Sequence, residues 1–250
     1  MNGKRVVAVE ALDNLPAEDP AAVRSRADLR RIHRAMGSRR LLLRALRGAA
    51  PRPAGPVLRV LELGAGDGRL LLSVAQALRP RWAGVELHLL DRLPLVTEPT
   101  LQAYAAAGWS ATPLQADILD WAQRQAAPRA PVPRDGAWDL VVANLFLHHF
   151  ADDVLRRVLD AVSGCARAVV ALEPRRGRLA LAASHCVGMI GANAVTRQDA
   201  VLSVRAGFRG REISALWPAS AAGWLLQEGP MGLFSHGFVA RSVPEGTAFA

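Results

Sequence analysis

A short apolar segment followed by three glycines at alternate positions, residues 57–68, places the strongest constraint on the fold. It reads V-L-R-V-L-E-L-G-A-G-D-G, and its first half is typical of a strand buried on both faces of a parallel sheet. The next residues, 69–78, have the spacing of an amphipathic helix. Glycines let the backbone bend sharply and let a ligand lie against bare peptide. The segment therefore predicts the ligand-binding corner of a doubly wound α/β domain.

The residues around these glycines exclude two common ligands of such a turn. The dinucleotide fingerprint requires a glycine where the chain has Arg69, and the P-loop requires Gly-Lys-Ser/Thr, whereas the only lysine is Lys4. Glu62 at the mouth of the turn repels a pyrophosphate and attracts a cation. The pattern E-x-G-x-G-x-G thus favours a cationic ligand. The alternative is a tight strand–helix turn that binds nothing.

This pattern resembles the first motif of the class I methyltransferases, whose donor S-adenosylmethionine carries a sulfonium and an α-ammonium and no phosphate. The resemblance covers roughly residues 57–242. It implies an α/β fold with a doubly wound, mostly parallel seven-stranded sheet and an antiparallel C-terminal strand. It also implies that the turn contacts the cofactor through Glu62, Gly64, Ala65, Gly66 and Gly68.

Carboxylates at the ends of the next two predicted strands extend this cofactor site. Asp91 ends the strand 85–91, where it can accept hydrogen bonds from both ribose hydroxyls; otherwise it caps a helix or lies on the surface. The strand 109–115 is followed by Asp117 and Ile118. The resemblance implies that Asp117 accepts from the adenine amine and that Ile118 covers the ring. The alternative is that Asp117 only caps the helix after it.

The fourth predicted strand, 138–145, leads into N-L-F-L-H-H-F. Asn144 stands where the chain leaves the sheet beside the reacting methyl group. Methyltransferases of base amines carry Asn/Asp-Pro-Pro-aromatic here, so the sequence argues against adenine or cytosine amino groups as acceptors. The stretch is similar instead to small-molecule enzymes, including the ubiquinone and menaquinone methyltransferases. His148 and His149 are candidate general bases; alternatively they pack in the turn or hydrogen-bond it.

Residues 1–56 are predicted to form an N-terminal helical extension or lid, and residues 57–250 the S-adenosylmethionine-binding domain. The first eighteen residues are expected to be a loosely held arm. Asp19-Pro20 then begins a helix, and Gly37-Ser38 separates it from a second one. The arginines between positions 24 and 40 form a solvated face, a lid over the cleft, or a docking face for an acidic partner or a membrane surface.

Composition narrows the remaining choices. The net charge of +9 comes almost entirely from arginine, and no basic block is interleaved with aromatic residues, which argues against a nucleic-acid platform. The two cysteines are expected to be buried thiols of a cytoplasmic protein, and no apolar run is long enough to span a membrane. The segment 179–190 is predicted to be a buried helix or a pocket wall.

These features predict an enzyme that transfers a methyl group from S-adenosylmethionine to a small, lipophilic aromatic acceptor such as a phenol, a quinol or a polyketide. An RNA methyltransferase and an inactive, cofactor-binding partner subunit are the two alternatives. The quinone or aromatic-polyketide assignment rests on a weaker likeness in the E-P-R-R segment at 173–176 and in the segment 193–208.

Overall fold

The computed structural model describes residues 3–49, 55–82, 84–126, 138–219, 221 and 223–243. Its centre is a seven-stranded sheet of order β3-β2-β1-β4-β5-β7-β6. The strands are β1 Leu58–Leu63, β2 Val85–Asp91, β3 Trp109–Gln115, β4 Leu140–Asn144, β5 Ala168–Pro174, β6 Trp224–Met231 and β7 Ser235–Ser242. The predicted doubly wound, mostly parallel α/β fold is confirmed.

The first five strands run parallel, and β7 pairs antiparallel with both β5 and β6. The chain winds outward from β1 to β3 and then returns to place β4 on the other side of β1. At such a switch point the loops after neighbouring strands diverge and leave a crevice beyond the carboxyl ends of the strands. The fold therefore places a binding cleft after β1 and β4.

Nine helices surround the sheet in the part of the chain that the structure describes. They are α1 Pro20–Ala35, α2 Ser38–Ala49, α3 Arg69–Leu78, α4 Glu98–Ala106, α5 Ile118–Ala126, α6 Asp152–Cys165, α7 Arg178–His185, α8 Ala194–Ala206 and α9 Glu212–Leu216. Short 3₁₀ turns lie at Ala11–Asn14, Leu147–His149 and Val187–Ile190.

The two faces of the sheet bury separate cores. On one face, Leu61 and Val141 pack with residues of α5, α6 and α9; on the other, Val142 and Val170 pack with residues of α2 and α3. Alternate residues of β4 thus serve opposite cores, as the period of a strand requires. Leu42 of α2 is fully buried in the second core. The second helix of the N-terminal segment is therefore part of the main core.

Several predicted boundaries are confirmed, and others shift for local reasons. The bounds of β2, β3 and α3 are those predicted. The strand β4 is shorter than 138–145 because Trp138 makes only an isolated bridge to Ala166. The sequence predicts a helix over 196–206 capped by Thr196. The helix α8 begins at Ala194 instead, since Asn193 is its N-cap and accepts a hydrogen bond from the Thr196 amide at 2.8 Å.

Three expectations are wrong. Residues 3–18 are not a loose arm, because their backbone and side chains bond to the C-terminal half of the domain. The segment 179–190 is not a buried helix throughout: Ala180 and Ser184 are buried, but Leu179 and Met189 are exposed. Cys186 is also exposed, whereas Cys165 is buried as expected. The sequence also predicts a surface loop at 126–135 and a linker at 48–56. Residues 127–135 and 50–54 of these segments lie outside the described residues.

No helix within the described residues is long and apolar enough to cross a membrane.

Candidate active site

The three glycines after β1 all adopt left-handed backbone conformations, with φ of +64°, +56° and +70° for Gly64, Gly66 and Gly68. A Cβ on Gly64 would lie 2.1 Å from the ring of Phe146, so only glycine fits there. A Cβ on Gly66 would meet no atom within 4 Å, because that side opens into a cavity. The turn therefore leaves a strip of bare backbone at the wall of the cavity.

The cavity has a volume of about 580 Å³ and lies beyond the carboxyl ends of β1, β2 and β4. Its other wall is formed by residues 10–13 and by α1. Ten of the predicted site residues line it: Glu62, Gly64, Ala65, Gly66, Asp91, Asp117, Ile118, Asn144, His148 and His149. Gly68 does not line the cavity; its carbonyl accepts a hydrogen bond from Tyr104 Oη at 2.6 Å, which anchors the start of α3.

Two acceptor atoms at the floor of the cavity lack partners. Asn144 Nδ2 donates to Glu62 Oε1 at 3.2 Å, but Glu62 Oε2 and Asn144 Oδ1 have no partner among the described residues. Burial raises the pKa of Glu62 to about 8, the Asn144 hydrogen bond opposes this, and the charges of Asp67 and Asp91 add to the rise. Unpaired buried acceptors of this kind fit a ligand that brings an ammonium group.

The two other predicted cofactor carboxylates also support the backbone. Asp91 accepts hydrogen bonds from the amides of Gly66 at 2.8 Å and Leu93 at 3.0 Å, which ties the glycine turn to the end of β2. Asp117 accepts from the Leu119 amide at 2.7 Å and so caps α5, as its alternative interpretation predicted. Because both carboxylates line the cavity as well, capping and ligand binding are compatible.

The chain turns sharply after β4, and one buried carboxylate organises the turn. Leu145 has a φ of +49°. Glu173, fully buried at the end of β5, accepts hydrogen bonds from the amides of Phe146 at 3.1 Å and Leu147 at 3.0 Å. Its other oxygen accepts from Nδ1 of His148 at 2.8 Å. Glu173 therefore fixes both the backbone and one imidazole.

Glu10 joins the two histidines in what we call the His–Glu cluster, defined as Glu10, His148 and His149. Its Oε1 lies 3.5 Å from His148 Nε2, and its Oε2 lies 3.4 Å from His149 Nε2. The Nδ1 atom of His149 donates to the Phe146 carbonyl at 3.0 Å. All four imidazole nitrogens thus face an acceptor.

This surrounding changes the protonation of the cluster. Burial lowers the pKa of His149, but hydrogen bonding to Glu10 and the charges of Glu10 and Asp13 raise it to about 9. Burial alone would raise the pKa of Glu10, yet its bonds to both histidines hold that pKa far below its usual range. His149 is therefore a cation at neutral pH while it contacts Glu10, so it cannot accept a proton in this state.

The N-terminal segment is held over the cavity by contacts far along the chain. Arg5 donates to the carbonyls of Ala206 at 2.8 Å and Phe150 at 3.1 Å, and its guanidinium lies 4.0 Å from the ring centroid of Phe208. The two oxygens of Asp199 accept from the amides of Ala11 and Leu12. These bonds fix the backbone on either side of Glu10.

Sequence reasoning missed Glu10, Glu173 and Asp199. Glu10 lies in a stretch without periodicity, so no sequence signal pointed to it. Glu173 carried a signal, since it is a carboxylate at the end of an otherwise apolar strand, like Asp91. The sequence also predicts an apolar acceptor pocket made of Phe146, Leu147, Met189, Trp217 and Phe234. Of these, Phe146 lines the cavity, Leu147 and Trp217 belong to the core, Met189 is exposed, and Phe234 is half-buried outside the cavity.

Comparisons with known proteins agree with this geometry. Residues 61–168, which include the glycine turn, match the family model described as a methyltransferase domain. No curated protein matches the sequence.

Solved structures resemble the whole described fold. The plantazolicin methyltransferase BpumL in complex with S-adenosylhomocysteine is 10% identical, with a TM-score of 0.57 over 90% of this chain and 91% of that one. Human N-acetylserotonin methyltransferase in complex with S-adenosylmethionine is 17% identical, with a TM-score of 0.52 over 92% of this chain and 60% of that one. The mitomycin 7-O-methyltransferase MmcR is 20% identical, with a TM-score of 0.50 over 90% of this chain and 59% of that one. The chain spans about three fifths of the last two.

The sheet order, the glycine turn and the cleft define a class I, Rossmann-like methyltransferase domain. The match over residues 61–168 supports a methyltransferase domain in this part of the chain. This match supports the cofactor predicted from the E-x-G-x-G-x-G pattern, S-adenosylmethionine.

Proposed function

We propose that the chain methylates a small aromatic molecule at a hydroxyl oxygen or an activated ring carbon. The observation that carries this proposal is the covered cavity: residues 10–13 and α1 lie over the cleft that the glycine turn opens. A volume of about 580 Å³ is within the range of roughly 300–1,000 Å³ found for small-molecule sites. A cavity of this size admits a small ring, whereas an RNA could enter it only as a single flipped nucleotide.

One end of the cavity fits the cofactor. Glu62 and Asn144 would hold the α-ammonium through their unpaired oxygens, Asp91 the ribose, and Asp117 with Ile118 the adenine. The bare backbone of Gly66 leaves room for the ligand against the turn. When bound, S-adenosylmethionine supplies an already activated methyl group, so the protein mainly aligns the acceptor and excludes water.

A second part of the wall, which begins at the Phe146 ring beside Gly64, fits an aromatic acceptor. Phe146 and Phe150 both line the cavity, with ring centroids 5.1 Å apart at 77° to each other. Such a corner can pack a further ring by its edge or its face. The polar members of this wall belong to the His–Glu cluster. The acceptor end thus combines an aromatic surface with groups that can take up a proton.

Methylation of a hydroxyl requires that its proton leave, and the His–Glu cluster lies where that proton would go. His148 is positioned by Glu173, which accepts from Nδ1 and leaves Nε2 directed at Glu10. This orientation makes His148 a better candidate than His149, whose pKa is raised to about 9. The role of a histidine as the base stays a prediction.

Two of the similar structures bear names that fit a small acceptor. One is a mitomycin 7-O-methyltransferase and one an N-acetylserotonin methyltransferase. They support small ring systems as the acceptor class for this chain, and they support methylation at oxygen more than at carbon. The quinone or polyketide assignment remains a proposal that rests on sequence likeness.

The arginines between positions 24 and 40 include two sets that differ in where they lie. Arg30 and Arg34 line the cavity, and Arg30 also pairs with Asp67 at 3.1 Å. Arg24 and Arg40 are exposed on the outside. The first set supports the lid hypothesis, since it joins α1 to the glycine turn. The second set leaves contact with an anionic membrane surface or an acidic partner as a prediction.

The test is incubation with methyl-labelled S-adenosylmethionine and, in separate reactions, a panel of phenols and quinols or total RNA, read by mass spectrometry. We expect label in at least one phenol or quinol and none in RNA. The Gly66→Val variant is the matched negative control. Label in RNA alone would contradict the proposal. An enzyme that binds S-adenosylhomocysteine in a calorimeter but labels nothing would favour the inactive-subunit alternative.

A further inference from the structure

We propose that the His–Glu cluster binds a divalent first-row transition metal ion at the acceptor end of the cavity. The binding site stands on the geometry of Glu10, His148 and His149 alone. The role of the ion in catalysis rests on the function proposed above.

The spacing of the three side chains fits an ion better than it fits direct hydrogen bonds. One ligand atom from each residue can be chosen so that all lie within 4.8 Å of one another. The two N···O separations end on different oxygens of Glu10: 3.5 Å from His148 Nε2 to Oε1, and 3.4 Å from His149 Nε2 to Oε2. Good N–H···O bonds are shorter, about 2.7–3.2 Å. A tetrahedral ion with bonds of about 2.0–2.1 Å separates its ligand atoms by about 3.4 Å.

Both imidazoles are also oriented as metal ligands are. A histidine that binds a metal through one nitrogen usually donates the other N–H to a carboxylate or a backbone carbonyl. His148 Nδ1 donates to Glu173 at 2.8 Å, and His149 Nδ1 donates to the Phe146 carbonyl at 3.0 Å. The two Nε2 atoms are therefore the ones that converge on Glu10, with their lone pairs available once a dication replaces a proton.

The carboxylate is held in place just as firmly. Ser203 Oγ donates a hydrogen bond to Glu10 Oε1, and Asp199 accepts from the amides of Ala11 at 2.8 Å and Leu12 at 3.0 Å. The side chain of Glu10 is only 12% exposed. Each of the three ligands thus has its own supporting contact, which a chance meeting of side chains does not require.

Charge in this region favours a dication. Glu10 and Glu173 place two carboxylates next to the imidazoles in a largely buried site. His148 Nε2 lies 3.5 Å from Glu10 Oε1, which is too far for a good hydrogen bond. One ion with two positive charges satisfies both rings at once. A donor set of two imidazoles and one carboxylate suits Zn²⁺, Co²⁺ or Fe²⁺ and not Mg²⁺, which prefers oxygen.

An ion bound there would leave a coordination position toward the cavity and would select an acceptor with a hydroxyl group. With an ion bound, His148 Nε2 would be a ligand and would no longer be the base proposed above. Coordination would lower the pKa of the hydroxyl, and its proton would pass to solvent. The oxygen then forms a bond to the methyl carbon while the carbon–sulfur bond breaks, and the electron pair stays on sulfur. The acceptor class is thereby narrowed from aromatic molecules in general to phenols and enols that can coordinate a metal.

The test measures Zn²⁺ retained after equilibration and desalting, together with its affinity by competition with a chromophoric chelator. It uses a Cys186→Ser background, because the exposed Cys186 lies next to His185 and can hold zinc adventitiously. We expect one equivalent in the parent and a loss of at least about 100-fold in affinity for Glu10→Gln and for His149→Gln. Co²⁺ should give the intense visible absorption of a tetrahedral site.

The matched control is His88→Gln, because His88 also contacts a carboxylate, Glu86 at 3.1 Å, but lies outside the cavity. Its zinc affinity should equal that of the parent. Equal zinc binding by the parent and by His149→Gln would overturn the metal site, whether or not the protein methylates anything. Zinc bound at one equivalent with no binding of S-adenosylhomocysteine would instead overturn the proposed function and leave the metal site standing.

Substitution of a metal-binding residue could disturb the fold, so that the protein binds neither zinc nor S-adenosylhomocysteine. A second variant covers this case. Ser203→Ala keeps all three metal ligands and removes only the hydroxyl that supports Glu10. We expect it to bind S-adenosylhomocysteine normally and zinc about 10-fold more weakly. Zinc affinity equal to that of the parent would contradict the proposal.

Discussion

The two ends of the cavity are built in different ways. The cofactor end is made by residues close in sequence, 62–66, and by single residues at strand ends such as Asp91. The acceptor end brings Glu10 together with His148 and with Ser203. Ser203 lies 193 positions after Glu10 in the chain. A local backbone pattern therefore specifies one half of the site, and the packing of the whole domain specifies the other. Each half should fail independently when it is altered.

The largest effect is expected at the acceptor end. His148→Gln removes the imidazole that Glu173 orients toward the cavity, so turnover should fall by roughly 10²–10⁴-fold. The affinity for S-adenosylhomocysteine, measured by calorimetry, should stay within about twofold, because the cofactor end is untouched. Turnover near the parent value in both His148→Gln and His149→Gln across the pH range would show that neither histidine takes part.

The converse substitution, Gly66→Val, breaks the cofactor end. A branched side chain would fill the space beside the turn and would strain a backbone with φ of +56°, which costs about 1–2 kcal/mol by itself. We expect a loss of at least about 100-fold in affinity for S-adenosylhomocysteine, or about 2.7 kcal/mol.

Gly210→Val is the matched control, since Gly210 has φ of +61° and open space around it but lies outside the cavity. It carries the same kind of backbone strain and should bind the cofactor normally. If Gly66→Val binds as well as this control, the glycine turn does not hold the cofactor.

Asp91→Ala sharpens the assignment within the cofactor end. The carboxylate would accept from the ribose hydroxyls, and each bond to a charged acceptor is worth about 1.5–3 kcal/mol. Cofactor affinity should therefore fall roughly 10- to 100-fold. Glu86→Ala serves as the control, because Glu86 lies inside β2 and outside the cavity. Equal affinities in the two variants would remove Asp91 from the cofactor site.

A smaller effect is expected from pH. Burial raises the pKa of Glu62 to about 8, above its ordinary value of 4.5. The folded protein therefore holds a proton on Glu62 that the unfolded chain releases. The free energy of unfolding of the ligand-free protein should fall as the pH rises from about 4.5 to about 8. An ammonium ligand favours the carboxylate, so affinity for S-adenosylhomocysteine should rise with pH, by at most about tenfold per unit, until about pH 8.

Calorimetry in buffers of different ionisation enthalpy should detect proton release on binding near pH 7. Glu62→Gln should bind more weakly and should lack both the proton release and the pH dependence. A parent protein that releases no proton would mean that Glu62 does not face the ammonium.

The smallest effect concerns the segment that closes both ends. Residues 24–40 line the cavity through Arg30 and Arg34, so hydrogen exchange of their amides should slow when S-adenosylhomocysteine is added. The helix α6, outside the cavity, provides the internal reference. Identical exchange with and without ligand would show that α1 is a fixed part of the scaffold and not a lid.

The difference between the two ends also explains what could be predicted from sequence. The glycine turn and the buried strand before it impose their structure over twelve residues, so β1, α3 and the strand-end carboxylates were predictable. Asp19 and Pro20 defined the start of α1 for the same local reason. Signals of this kind depend on backbone geometry and not on distant partners.

The acceptor end could not be predicted from the sequence, because its residues carry no local signal. The segment around Glu10 has no periodicity and looked like a loose arm, and only the bonds from Asp199 and Ser203 reveal that it is fixed. His148 and His149 were visible in the sequence, but the protonation of His149 depends on Glu10. A pair of histidines after β4 is compatible with a base, a metal site or simple packing until their partners are known.

The left-handed residue after β4 ties activity to stability. Leu145 has φ of +49°, a conformation that costs a leucine about 1–2 kcal/mol and that Asn adopts more easily. The bonds from Glu173 to the following amides hold the backbone there. Selection for heat resistance alone would therefore favour Leu145→Asn or Leu145→Gly. Without the strain, the turn after β4 would be less firmly fixed and would align the acceptor less well. Thermostable forms of this enzyme that keep full turnover should retain the strained leucine and gain their stability elsewhere.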